Sequence, residues 1–123
     1  MANPKVWLED DGIVRVEYEP FCSLNLDVIK HVNAKRIALH PIKHPLLMKL
    51  NGLNSFEKDA QQYIKSSLYN SITSATAIYV PYSVKFRILT TSLVQNFVND
   101  NLFMPLQLFD NEIKALSWLA QYI

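Results

Sequence analysis

Glycine is nearly missing from this chain: Gly12 and Gly52 are the two that 123 residues contain. Phosphate cradles of the dinucleotide and P-loop types need several glycines so that backbone can approach a phosphate closely, and neither can be built here. Cysteine is rarer still. Cys22 stands alone, so no internal disulfide can form, and a reducing, cytoplasmic setting is expected. With Phe21 and Leu24 beside it and no adjoining cation, its thiol reads as a small buried hydrophobe, not a nucleophile. No stretch approaches the ~20 apolar residues that span a bilayer, and no basic segment followed by an apolar run opens the chain. An excess of one charge is also missing. Twelve Lys and Arg are scattered among eleven Asp and Glu, which argues against a nucleic-acid partner, because displacing counterions from phosphates needs clustered cations. Gly-x-Ser-x-Gly, His-Glu-x-x-His and Cys-x-x-Cys do not occur, so the usual hydrolase and zinc signatures are excluded and no cofactor is expected.

What remains is an ordinary globular composition, 50% hydrophobic and 19% charged, in a length suited to one domain over residues 1–123. Lys5–Glu9 and Ile13–Glu19 flank Asp11-Gly12, a hairpin signal. A two-residue turn makes Trp7 face Val16 and puts Trp7, Val14, Val16 and Tyr18 on the core side; a three-residue bulged loop puts Val6 and Leu8 there instead. Leu26–Ala38 reads as a helix capped by Asn25, with an apolar stripe of Val28, Ile29, Val32 and the stem of Arg36. His40-Pro41 and His44-Pro45 break it. Pro45–Leu50 is the next strand. Asn54 with Glu57 resembles a capping box opening a helix from Ser55 to Tyr69, with Phe56, Ala60, Tyr63, Ile64 and Leu68 on its apolar face.

The last third repeats one pattern. Thr73–Val80 is a central strand, Ser83–Asn99 a helix, Pro105–Asp110 a strand, and Glu112–Gln121 a helix capped by Asp110 and anchored by Ile113, Leu116, Trp118 and Leu119. Strands alternating with helices imply a parallel, helix-covered sheet. The expected fold is therefore α/β, a single mixed, mostly parallel five-stranded sheet with an N-terminal β-hairpin and four helices. Arg15, Glu17, Lys49 and Gln107 occupy alternate strand positions, which implies that one sheet face is partly open while the helices lie mainly on the other. On the third helix Val84, Phe86, Ile88, Leu89, Leu93, Val94, Phe97 and Val98 cover more than one stripe. Such breadth implies burial on two sides, with homodimerisation the simplest means.

In this order of elements, and in the ending Gln107-Leu108-Phe109-Asp110-Asn111-Glu112-Ile113-Lys114-Ala115-Leu116-Ser117-Trp118-Leu119, the chain resembles the STAS, or anti-sigma-factor-antagonist, domains, bacterial members of which share Ala-Leu-x-Trp-Leu. CRAL-TRIO lipid carriers share the βα arrangement in larger proteins. The resemblance implies a non-enzymatic regulatory or protein-interaction module whose partner contacts Asn51, Asn54, Ser55, Glu57 and Lys58. It departs at the family's phosphoacceptor: Glu57-Lys58-Asp59 stands about where Asp-Ser-Ser would, and Lys58 cannot accept a phosphate. Ser55 reads as a capping or solvent-facing residue.

Other constellations are thinner. His40 and His44 lie in a proline-broken loop read as solvent-exposed, so no metal site is expected. Lys49, Tyr82, Lys85 and Arg87 form the one candidate anion site near strand ends. An enzyme would have to bring Lys49 together with Glu57 or Tyr82 in a cleft. A carrier of an apolar small molecule or lipid would hold it between sheet and third helix, in a pocket lined by Leu89, Leu93 and Phe97.

Overall fold

The structure is a computed structural model that describes residues 4–84, 87–99 and 104–123, the side chains of 67 and 68 excepted. Its main sheet contains β1 (Lys5–Leu8), β2 (Val14–Glu17), β4 (His44–Lys49), β6 (Thr73–Tyr79) and β7 (Leu106–Phe109), in the order β1-β2-β4-β6-β7. The β1–β2 pair is antiparallel and the other three pairings are parallel, as the alternation of strands with helices requires. This is the expected mixed five-stranded sheet with its N-terminal hairpin.

The hairpin takes the longer loop. Gly12 adopts a positive φ of 80° and its N–H donates to the Glu9 carbonyl, leaving Asp10, Asp11 and Gly12 as the loop. Val6 consequently faces Val16, and Trp7 faces Arg15. A side-chain period of two means that this one-residue change exchanges the faces of β1. Trp7 therefore leaves the core side, where Val6 packs beside the buried Val14, Val16 and Tyr18.

α1 (Leu26–Leu39) starts where Asn25 Oδ1 accepts from the Val28 N–H, at 2.9 Å. The expected helix from Ser55 to Tyr69 is replaced by three elements: β5 (Leu53–Phe56), α2 (Lys58–Ile64) and α3 (Ser67–Ser71). β5 pairs in parallel with β3 (Cys22–Leu24), a strand without a sequence signal of its own. No capping box forms there: Asn54 donates to the Ser23 hydroxyl, and α2 begins after Glu57, whose side chain makes no capping bond. Ala60 and Ile64 face the core as expected, while the side chain of Leu68 lies outside the described residues.

α4 spans Arg87–Asn99; the expected start at Ser83 crosses Lys85 and Phe86, which lie outside the described residues. Among the described residues this helix buries Thr90, Val94 and Phe97 and leaves Ile88 and Leu89 exposed. α5 (Glu112–Leu119) is capped by Asn111, whose Oδ1 accepts from the Lys114 N–H, and not by Asp110. A 3-10 turn at Ala120–Tyr122 follows. Ala115 and Leu119 hold the helix to the sheet; Ile113 is exposed, not an anchor.

Two cores result, one on each face of the sheet. The larger gathers Val14, Val16, Leu46, Met48 and Ile78 with residues of α1, α2, β5 and α4. The smaller packs Ala115 and Leu119 on Ile13, Leu47, Ala75 and Ala77, where alanines let α5 lie close to β6. Helices thus cover one face and only half of the other, leaving Glu17 and Lys49 half-buried on the open half beside Arg15, which is buried and paired with Asp11 and Glu9.

Candidate functional site

Phe21 is held in the left-handed region at φ 56°, and 48% of it is exposed. Its N–H donates to the Gly52 carbonyl at 3.1 Å, and its ring lies over Gly52 so closely that a Cβ there would stand 2.9 Å from two ring carbons. Gly52, itself at φ 95°, is therefore needed twice: for its backbone angle and for the space above it. This pairing seats an aromatic ring at the surface where β3 meets β5.

On the other side of β5, the Leu53 N–H donates to the Thr90 hydroxyl at 3.0 Å and fastens the strand to α4. Between them runs an open groove of about 480 Å³ lined by Phe21, Leu53, Asn54, Leu89, Ser92 and Leu93. Leu89 is 62% exposed and Leu93 38%. Phe56 on the same strand and Phe97 on the same helix are buried and pack with ring centroids 5.0 Å apart.

The expected ligand residues are therefore divided, Leu89 and Leu93 in the groove and Phe97 in the larger core. The expected partner segment divides too. Asn54 lines the groove, and Glu57 and Lys58 are exposed beyond its strand. Ser55 is half-buried opposite Ser23, while Asn51 is tied inward by donating to Glu17 and to the Tyr18 carbonyl. Phe21, Leu53 and Thr90 were not read from sequence as site residues. The signal available was Gly52, one of two glycines, marking a close approach that only the fold identifies.

The remaining clusters are closed on themselves. On the open half-face, Trp7, Glu9, Arg15, Glu17, Leu47, Lys49 and Glu112 line a shallow groove of about 250 Å³. Arg15 there is spanned by both Asp11 carboxylate oxygens at 2.7 and 2.9 Å, and this bonding holds the Asp11 carboxyl below the usual carboxylate range. Lys49 lies 3.5 Å from Glu17 and over the Tyr79 ring, and Arg87 pairs with Asp110 and stacks on Tyr82. Lys49, Tyr82 and Arg87 are not gathered for an anion, and neither Glu57 nor Tyr82 lines the groove of Lys49; Lys85 lies outside the described residues.

Cys22 is buried, and burial pushes its thiol up to about 11, away from nucleophile chemistry. His44, expected on an exposed loop, is instead 1% exposed at the start of β4. Arg36 donates to its Nε2 through Nε and Nη2, at 3.2 and 3.1 Å. Because arginine only donates, Nε2 is the acceptor and the proton sits on Nδ1, which donates to the Ile42 carbonyl at 2.8 Å. Burial, reinforced by the Arg36 charge, pulls the imidazole down to about 4. Among the described residues no group of three His, Cys, Asp or Glu is placed to hold a metal, and no helix is long and apolar enough to cross a membrane.

No curated protein and no solved structure matches this sequence. One family model matches residues 6–123, from the first strand to the final residue, and by it the chain belongs to the family described as domain of unknown function DUF7793.

Proposed function

We propose that this domain is a non-enzymatic, cytoplasmic protein-interaction module of STAS type that holds an apolar helix of a partner protein in the groove between β5 and α4. The observation that carries the reading is the groove itself: Phe21, Leu89 and Leu93 stand exposed along it, and Asn54 and Ser92 add polar groups to its lining. An open apolar trough with preformed walls suits the face of an amphipathic helix. Polar chemistry supports the same choice, since Lys49, Arg15 and Arg87 each already have an acidic partner and the Cys22 thiol is buried. Lys58 stands about where the STAS phosphoacceptor serine would, so binding does not depend on that switch in this reading.

Carriage of a lipid or other apolar small molecule is the competing use of the same walls. It fits less well, because a carrier encloses most of its ligand, whereas this groove is open and Phe97 is packed against Phe56 in the core instead of lining it. A photo-crosslinking residue at Asn54, introduced in the source cells, separates the two. The expected outcome is one discrete protein adduct, abolished by Leu89→Asp in a chain of unchanged circular dichroism. A stoichiometric lipid in the extract, or an adduct pattern that Leu89→Asp does not alter, overturns the proposal.

A further inference from the structure

The strand β1 lies at the margin of the main sheet, paired on one side with β2 and, among the described residues, with no strand on the other. Such an edge is a template for another chain unless it is blunted by charge, proline or a bulge. Here it presents two large apolar side chains, Trp7 and Leu8, each 36% exposed. The Glu9 carbonyl turns inward to accept from Gly12, so by alternation along the strand the outward N–H and C=O groups belong to Val6 and Leu8.

The order of residues on this edge is self-complementary. Laid antiparallel to itself about Trp7, the segment sets Lys5 against Glu9 of the second copy and Val6 against Leu8 of the second copy, with the two Trp7 side chains meeting at the centre. Val6 and Leu8 then exchange backbone hydrogen bonds on both sides of the axis. The lysine-to-carboxylate pairs fall on the same face as the Trp7 pair, because residues two apart share a face. Pro4, which has no N–H to offer, ends the ladder. We propose that β1 is a self-association edge through which two copies pair about a two-fold axis at Trp7, joining two five-stranded sheets into one continuous sheet. The axis brings together the half-faces that carry Trp7, Glu17 and Lys49, and leaves the groove of Phe21 and Leu89 free for its own partner. The proposal is independent of the groove.

Sedimentation equilibrium of the full chain tests it. Wild type is expected to be a dimer in reversible exchange with monomer. Lys5→Glu sets carboxylates against each other at both ends of the ladder and is expected to weaken the dimer by about tenfold or more, as does Glu9→Lys. The double exchange Lys5→Glu with Glu9→Lys restores the opposition and is expected to recover the wild-type constant to within about threefold. Leu89→Asp, which disables the groove, is expected to leave the dimer unchanged, so the two proposals fail separately. A chain that stays monomeric up to ~1 mM, a dimer indifferent to Lys5→Glu, or a double exchange that fails to recover association overturns the inference.

Discussion

Arg36 is a cation with no exposed surface at all, and what surrounds it is neutral. His44 Nε2 and the Thr73 hydroxyl accept its N–H groups, Thr73 passes a hydrogen bond on to the Tyr69 carbonyl, and the guanidinium carbon lies 5.0 Å from the Tyr69 ring centroid. An acceptor removed from such a site leaves a buried charge under-bonded. His44→Leu is therefore expected to lower the unfolding free energy by about 2 to 3 kcal/mol in urea titration near neutral pH. The same histidine gives stability a pH dependence whose sign follows from its environment. Unfolded, it takes up a proton around its ordinary 6.5; folded, it resists until about 4. Through that window the unfolded state binds more protons, so stability falls as pH falls. His44→Leu is expected to lose that slope, and an unchanged slope in urea midpoints between those pH values contradicts the assignment. Nothing in the run of residues around His44-Pro45 announces this. Proline neighbours signal an exposed loop, and the burial comes from α1 and β6 closing over the site.

At the level of elements, the misread segment is instructive. Asn54-Ser55-Phe56-Glu57 has the spacing of a capping box, and Phe56, Ala60 and Ile64 have helical periodicity, yet Leu53–Phe56 is extended. The competing interaction is parallel pairing with β3, a partner some thirty residues earlier, which no local pattern reports. The Leu53 N–H then needs an acceptor on its other edge, and Thr90 supplies one. Thr90→Val, nearly isosteric, is expected to cost about 1 to 2 kcal/mol and to accelerate amide hydrogen exchange at Leu53 selectively. Equal exchange rates in the two proteins would show that the hydroxyl does not hold the strand. The hairpin offers the converse case. Asp11-Gly12 locates the turn correctly, because few residues besides glycine adopt φ 80° cheaply, but loop length decides the register and sends Trp7 outward.

For the whole molecule, the two cores lie back to back on one sheet, so neither face can be lost without exposing the other side of the same strands. Unfolding is expected to be a single cooperative transition. Fluorescence of Trp118, isolated by Trp7→Phe and seated against Phe109 and Tyr122, is expected to coincide with far-ultraviolet circular dichroism. Separated midpoints would divide the chain into two cooperative units. The sheet, its parallel crossovers and its half-open face were legible because alternation, capping residues and prolines act over a few positions and survive in any tertiary setting. The groove was only half legible: Leu89 and Leu93 followed from the excess apolar surface of α4, whereas Phe21, Leu53 and Thr90 did not. The sequence by itself determined most of the extended and helical segments, β3 and β5 excepted, and ruled out glycine-rich phosphate cradles, since those properties are local or compositional. The tertiary structure alone decided the β3–β5 pairing, the burial of His44 against the Arg36 guanidinium, and the meeting of Phe21 with Gly52. Each is a contact between separate segments of the chain, and its free energy exists only once the surrounding elements have packed.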